Sequence, residues 1–282
     1  KIYAEANSDN KFDVALEIRN KGVYPEPGKG SGVNGLGTRF GRIFITGYDD
    51  KIIKLQPKEN GKDDLSQLAL EGKSQINPNG GQDITAFTAT IDYTKLNVNI
   101  YEPILAATAC YYYETETGPS ICIDPQPYST IEKVCQVSDL SLSSQGAPIA
   151  ITRVDEETFA TKTQFRITIK NVGGGEVAEP GESMCSCDNS QVASQVAEPD
   201  KKCPAKVLTR DQIDKVRLEF ARASTVDLQC GPFIDNTVKS NSGVIRLING
   251  EGSIICEFPS DLYSNKLNAY TTPLSIKLSY TY

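Results

Sequence analysis

Cysteine is the residue type with the most definite chemistry in this chain. The sequence has eight cysteines, and none of them lies in the first hundred residues. An even number in an acidic chain favours disulfide bonds, which persist outside the reducing cytosol. A thiolate metal site is less favoured, because the chain has no CxxC pair and no histidine to supply a nitrogen ligand. The cysteines expected in disulfides are Cys110, Cys122, Cys135, Cys185, Cys187, Cys203, Cys230 and Cys256.

Two disulfide pairs are predicted from sequence position. A turn at residues 115–119 would form a hairpin that places Cys110 opposite Cys122. Cys230 and Cys256 both lie in apolar, strand-like segments of the second half, and we expect them to pair. Of the rest, one of Cys185 and Cys187 is expected to bond Cys203 and the other Cys135, in an order that the sequence leaves open.

Catalytic groups of other kinds are scarce. The absence of histidine excludes Ser-His-Asp and Cys-His nucleophile systems and most general-base chemistry near neutral pH. Residues 28–32 are glycine-rich but lack the spacing of a phosphate-binding loop. The adjacent carboxylates at residues 49–50, 63–64 and 155–157 would serve a secreted hydrolase only if the fold brought two of them together. We therefore expect no enzyme, no cofactor and no metal site, although calcium held between strands by carboxylate oxygens stays open.

The charge balance limits the partners. With 29 Lys and Arg against 36 Asp and Glu, the net charge is −7 and the pI is about 4.9. Binding to nucleic acid or to an anionic membrane surface needs clustered Lys and Arg, so neither is expected. No run approaches the roughly 20 apolar residues that cross a bilayer, so no membrane span is expected. The chain begins without the apolar core of a signal peptide, so any export signal has been removed or left out.

Alternating apolar and polar residues predict β-strands along most of the chain. Residues 12–18 and 165–169 alternate strictly, and each run ends in an Asn-x-Gly turn signal, at Asn20 and Asn171. After each come a Gly- and Pro-rich stretch, another strand, a turn cluster, a further strand and a long strand that ends in tyrosine. The same order of features in both halves predicts a tandem duplication of one β-domain.

The predicted fold class is all-β, with two tandem β-sandwich domains stapled by disulfides. The two prolines in residues 124–127 favour a semi-rigid joint, which gives an N-terminal domain of residues 1–127 and a C-terminal domain of residues 128–282. The second domain contains a long cysteine-rich loop at residues 173–204. Such a loop is either a binding surface or the cover of a sheet edge.

Part of the chain resembles a known family. Residues 165–177, FRITIKNVGGGEV, resemble the opening of CARDB-type immunoglobulin-like domains of prokaryotic cell-surface proteins, and residues 14–22 resemble it less closely. The stretch from Cys230 to the tyrosine-rich end is similar to archaeal surface proteins. The resemblance implies two-sheet, immunoglobulin-like Greek-key sandwiches, an extracellular location at the cell surface and an adhesive, scaffolding or filament role. It supplies no catalytic residue.

We therefore expect an extracellular structural protein that self-associates as a subunit of a cell-surface filament or surface layer. Strand-like segments at both ends of the sequence would complete the sheet of a neighbouring subunit, which pairs two exposed edges at once. The alternative, in which both segments pair within their own domains, stays open. The residues expected to contact the neighbouring subunit are Ile2, Tyr3, Ile276, Leu278 and Tyr280.

A second expectation is an adhesin that binds glycans or other surface proteins. Tyrosine rings offer flat apolar faces for stacking, and four of them lie close together in sequence. Alternation along a strand puts the first and third on one side and the second on the other, so at least one is expected in the core. These tyrosines are Tyr111, Tyr112, Tyr113 and Tyr128.

Overall fold

A computed structural model describes residues 10–24, 41–58, 68, 70–96, 100–180, 208–258 and 268–282. Within these ranges the regular elements are antiparallel β-strands and one 3-10 turn at Tyr93–Lys95. The predicted all-β class is therefore confirmed. The described residues divide into two units, the first ending at Tyr111 and the second beginning at Tyr112.

The first unit contains a three-stranded antiparallel sheet and a separate pair of strands. Its strands are β1 (Lys11–Arg19), β2 (Gly41–Thr46), β3 (Ile53–Pro57), β4 (Gln82–Ile91) and the first half of β5 (Ala106–Thr117). The sheet has the order β1-β4-β3, and β2 pairs with residues 106–111 of β5. Ile43 and Ile45 of β2 are buried.

The two faces of the three-stranded sheet follow the alternation in the sequence. Phe87 and Ala89 of β4 point into the core and are 5% and 0% exposed. On the other face, Gln82 accepts a hydrogen bond from Arg19 Nε at 3.0 Å and donates one to Glu17 Oε1 at 2.6 Å. The alternation of apolar and polar residues therefore gives this sheet one apolar face and one solvent-exposed, hydrogen-bonded face.

The second unit is sandwich-like, with two antiparallel sheets. Its further strands are β6 (Ser120–Ile123), β7 (Leu140–Ser141), β8 (Ile149–Thr158), β9 (Thr163–Asn171), β10 (Lys215–Ala223), β11 (Val226–Asp227), β12 (Gln229–Gly231), β13 (Gly243–Arg246), β14 (Glu251–Glu257) and β15 (Tyr270–Thr281). One sheet has the order β12-β14-β9-β8-β7, and in the other β15 lies between β10 and β5. Inward residues of both sheets, such as Ile167 and Leu278, are fully buried.

Strands β5 and β6 follow one edge of β15 almost as a single extended strand. Residues 276–281 of β15 pair with β5, and residues 270–273 pair with β6. Between them, Leu274 N–H donates to Pro119 O at 2.8 Å. The chain therefore does not reverse at Gly118 and Pro119, and the predicted hairpin is wrong. The ladder to β15 supplies backbone partners on both sides of this point, so the chain stays extended.

The disulfides agree with the prediction at one pair and correct it at another. Cys230 and Cys256 are direct partners on β12 and β14 and are bonded, as predicted. Cys122 bonds Cys135, so the predicted pairs of Cys110 with Cys122 and of Cys135 with Cys185 or Cys187 are wrong. Cys110 is also disulfide-bonded. Because the other four described cysteines bond one another, its partner lies outside the described residues, as do Cys185, Cys187 and Cys203.

The division between the units falls at Tyr111 and Tyr112 rather than at the predicted 127/128 boundary. The reason is the pairing of β6 with β15, which places residues 120–123 in a sheet of the second unit. Asp124, at the start of the expected linker, is only 5% exposed. Most of the cysteine-rich loop, residues 181–204, lies outside the described residues.

The same pattern of strand pairing occurs in both units. In the first, the sheet order is β1-β4-β3, and β2 pairs with β5. In the second, β9-β14-β12 occurs in the same order, and β10 pairs with β15. Every one of these pairs is antiparallel. The order of elements along the chain also corresponds, which supports the duplication predicted from the sequence.

Asn20, directly after β1, makes a specific set of turn contacts. Its Oδ1 accepts from Gly22 N–H at 2.9 Å, and its Nδ2 donates to Tyr24 O at 2.9 Å and to Leu70 O at 3.0 Å. Its backbone N–H donates to Gly81 O, just before β4, at 2.9 Å. The Asn side chain thus fixes the exit of one strand and its position beside the next.

Asn171, which ends β9, repeats these contacts. Its Oδ1 accepts from Gly173 N–H at 3.2 Å, and its Nδ2 donates to Gly175 O at 2.7 Å. Its backbone N–H donates to Gly250 O, just before β14, at 2.8 Å. The same side chain thus uses the same offsets, i+2 and i+4, at the same place in both units.

We predict that Asn20→Ala destabilises the first unit by about 2 kcal/mol. Asn20 is 6% exposed, so the substitution leaves buried backbone groups without their partners. Urea denaturation measures the loss. The control is Asn79→Ala, at an exposed turn position, which should change stability by less than about 0.5 kcal/mol. Equal effects of the two substitutions would contradict the structural role given to Asn20.

Candidate functional site

The loop between β6 and β7 is held by a covalent bond and an ion pair. We define residues 124–135 as the braced loop. Its last residue, Cys135, is bonded to Cys122 of β6. Lys133 Nζ donates to Asp124 Oδ2 at 2.5 Å, to Gln126 O at 2.9 Å and to Pro127 O at 3.1 Å. The ammonium group therefore has all three of its hydrogens bonded within the loop.

Three large apolar side chains point outward from the braced loop. Tyr128 is 81% exposed, Ile131 67% and Val134 83%. Exposed apolar side chains that lie close together often mark a binding surface. A loop that is already fixed loses little conformational freedom on binding, so the brace favours recognition. The braced loop is therefore the strongest candidate for a contact site among the described residues.

The other three tyrosines of the expected stacking group have structural contacts. Tyr113 is 2% exposed and donates to Gly146 O at 2.8 Å, which confirms that at least one of the group lies in the core. Tyr112 donates to Glu114 Oε1 at 2.8 Å, and both Tyr111 and Tyr112 are half-buried. Of the four, Tyr128 alone presents most of its ring to solvent.

The residues expected at the subunit contact are core residues in this structure. Ile276, Leu278 and Tyr280 are all 0% exposed. The hydroxyl of Tyr280 bonds Thr115 Oγ1 at 2.8 Å and accepts from Ile149 N–H at 3.3 Å. Strand β15 is paired along both edges within its own chain, and these side chains pack inside that chain. Ile2 and Tyr3 lie outside the described residues.

Among the described residues, the adjacent carboxylates make separate local contacts. Asp49 Oδ1 accepts from Lys51 N–H at 2.9 Å and so shapes a turn, and residues 63–64 lie outside the described residues. Asp155 is bonded by Arg153, whereas Glu157 is exposed. Glu156, between them, is only 6% exposed. Alternation along β8 was the signal that could have identified it, since Val154 two residues earlier also faces inward.

Glu156 is the most perturbed buried carboxyl among the described residues. Burial raises its pKa to about 7, and the hydrogen bond that Oε2 accepts from Cys122 N–H, at 3.4 Å, acts in the opposite direction. Its Oε1 has no hydrogen-bond partner from the protein. A carboxyl of this kind is able to hold a proton or to bind a cation near neutral pH.

Glu257 shows the opposite perturbation. Its pKa is lowered to about 2, first by the hydrogen bond from Lys239, against the effect of burial, and further by Lys162 and Gln164. Lys162 Nζ lies 2.9 Å from Oε1, and Gln164 Nε2 donates to the same oxygen at 2.5 Å. This carboxylate therefore joins the β8–β9 turn, β9 and the segment before β13. Sequence reasoning missed it, because Lys162 and Gln164 lie more than 90 residues from Glu257 in the chain.

No group of three or more His, Cys, Asp or Glu side chains in the described ranges is arranged to hold a metal ion. The described residues also contain no helix long and apolar enough to cross a bilayer.

Comparison with family models, with curated proteins and with solved structures gave no match. The function is therefore argued from this chain's own residues.

We predict that Glu156→Gln removes a pH dependence of stability. In the parent protein the folded-state pKa lies above the ordinary value of 4.5, so the folded form keeps its proton longer than the unfolded form. Stability should therefore fall as the pH rises from about 4.5 to about 7 and stay low above that, by no more than about 3 kcal/mol. The Gln variant should match the parent at pH 4.5 and exceed it at pH 8.

Denaturation curves in sodium-free acetate, bis-Tris and Tris buffers measure this difference. The control is Glu157→Gln, the same chemical change one residue later on the exposed face of β8. It should leave the pH profile of the parent unchanged. A parent profile that is flat between pH 4.5 and 8 would be evidence against the assigned burial of Glu156.

Proposed function

We propose that this chain is an extracellular structural protein, a subunit of a cell-surface filament or surface layer built from two immunoglobulin-like β-sandwich units. The observation that carries the proposal is the oxidation state of the cysteines. Cys110, Cys122, Cys135, Cys230 and Cys256, which are all of the described cysteines, are in disulfide bonds. Such bonds persist in oxidising compartments and brace β-domains outside the cell.

The repeated strand order supports the immunoglobulin-like part of the proposal. Each unit has a three-stranded antiparallel core sheet and a further antiparallel pair, connected in the same sequence order. Many cell-surface domains share the β-sandwich architecture. The CARDB-like turn at Asn171 is the point where the two units agree in detail.

Subunit association in this proposal uses side chains of the braced loop. Strand β15 is paired on both edges, so donating it to a neighbour would expose its own core. The braced loop instead presents Tyr128, Ile131 and Val134 without loss of any internal contact. An assembly through side chains leaves both units intact.

We predict that the purified full chain, produced under oxidising conditions, has no free thiol and forms higher-order assemblies at high concentration. Thiol titration after denaturation, non-reducing peptide mapping, analytical sizing and negative-stain microscopy measure these properties. The triple variant Tyr128→Ser, Ile131→Ser, Val134→Ser should stay folded but remain monomeric. Eight free thiols, or a parent protein that is monomeric at every concentration, would overturn the proposal.

A matched triple variant controls for the general loss of exposed apolar surface. Ile234→Ser, Val238→Ser and Ile248→Ser change three exposed apolar residues of the same unit outside the braced loop, with exposures of 49%, 69% and 70%. This variant should assemble like the parent. If both triple variants fail to assemble, the contact is not specific to the braced loop.

A second candidate function, glycan binding by an adhesin, is favoured by the single observation that Tyr128 is 81% exposed on a fixed loop. A tyrosine ring in this position is able to stack on a sugar face. Glycan-array binding should be lost in Tyr128→Ala and kept in Tyr128→Phe, which preserves the ring. Binding that survives Tyr128→Ala would exclude this site.

A further inference from the structure

The described residues contain four buried side-chain oxygens without a hydrogen-bond partner from the protein, and all four lie on the β8–β9 hairpin. They are Thr152 Oγ1, Glu156 Oε1, Thr158 Oγ1 and Thr163 Oγ1. Buried polar atoms are nearly always paired, so a concentration on one hairpin needs a physical explanation. We call the residues at its closed end, Glu156, Thr158 and Thr163, the Glu156 cluster.

The strand register brings these three side chains to one face. Glu156 and Thr158 are two residues apart on β8, so they share a face of the sheet, and Thr163 of β9 is directly opposite Thr158. The Cβ atoms of directly opposed residues are roughly 5 Å apart, and those of residues two positions apart on one strand are about 7 Å apart. Glu156 and Thr163 are 6% and 0% exposed. The three oxygens are therefore within reach of one small ligand in the interior.

The charge of Glu156 is not balanced by a basic side chain of the described residues. The two basic residues nearest to it in sequence bond other carboxylates. Arg153 bonds Asp155 and Asp139, and Lys162 Nζ bonds Glu257 Oε1 at 2.9 Å. Cys122 N–H donates to Oε2 and leaves Oε1 available. A buried carboxyl avoids an isolated charge by keeping its proton, by pairing with a basic group or by binding a cation. Because the pKa of Glu156 is raised only to about 7, the proton is lost at higher pH and the charge then needs a partner.

We propose that the Glu156 cluster binds one monovalent cation in the interior of the second unit. The donor atoms are one carboxylate oxygen and two hydroxyl oxygens, which are hard ligands suited to alkali or alkaline-earth ions. One carboxylate supplies one negative charge, so a monovalent ion leaves the interior neutral, whereas a divalent ion would leave a buried positive charge. A bridging water would satisfy hydrogen bonds but would leave the carboxylate charge unbalanced.

Thermal unfolding at pH 8 in sodium chloride, compared with choline chloride at the same ionic strength, tests the proposal. The larger choline ion does not fit an interior site, so only sodium should raise the midpoint. We expect a saturable rise of about 3 °C or more. Potassium is a second monovalent probe, and a response to either alkali ion supports the site. A response to calcium chloride alone would overturn the proposal of a monovalent ion.

Variants show whether the response belongs to the Glu156 cluster. Glu156→Gln and Thr163→Val each remove one donor atom and keep the side-chain shape, and both should lose the sodium response. Glu157→Gln removes a carboxylate from the exposed face of the same strand and should respond like the parent. A sodium response that persists in Glu156→Gln, or none in the parent, would overturn the proposal.

A direct binding measurement keeps the test independent of folding stability. The ²³Na resonance of a sodium chloride solution should broaden in the presence of the parent protein and of Glu157→Gln. It should not broaden beyond a protein-free sample in the presence of Glu156→Gln. Equal broadening by the parent and Glu156→Gln would place the ions elsewhere on the protein and exclude this site.

Discussion

The pairing of β15 along both of its edges is the interaction on which the second unit depends. One edge is occupied by β10 and the other by β5 and β6, which come from distant parts of the sequence. Its inward side chains, among them Leu274, Ile276 and Leu278, are fully buried, and each contributes about 1.5–3 kcal/mol by leaving water. Withdrawing this strand would expose two sheet edges and the core together. The main role of β15 is therefore to hold the second unit together.

The two units have the same order of paired strands but differ in how completely their apolar side chains are buried. Strand β9 has neighbours on both edges, β14 and β8, and Phe165, Ile167 and Ile169 are 0% exposed. Among the described residues, its counterpart β1 pairs with β4 alone, and the apolar residues at positions 12, 14, 16 and 18 are half-buried. Within the described part of the chain, the same alternating sequence pattern therefore gives a strand with two neighbours in one unit and a strand with one neighbour in the other. The difference comes from the added β7–β8 segment.

Strand β6 connects the features of the second unit that bear on function. Cys122 provides both the disulfide to the braced loop and the N–H that bonds Glu156, and Asp124, just after the strand, binds Lys133. Burying a carboxyl without a partner costs folding free energy, and large exposed apolar patches are rare in monomeric proteins. The disulfide and the ion pair hold the loop in place while it carries the exposed groups.

The sequence by itself determined the all-β class, the positions of most strands, the recurrence of one domain plan and the Cys230–Cys256 bond. Those features follow from local alternation and from turn residues such as Asn20 and Asn171, whose effects act within a few positions. The sequence did not determine the path of the chain through Gly118 and Pro119, the disulfide partner of Cys122, or the burial of Tyr280 and Glu156. Each of these depends on which distant strand lies alongside, and β15 is more than 150 residues from β5. Only the tertiary structure decided them, because a strand's pattern specifies which face is buried but not which neighbour covers it.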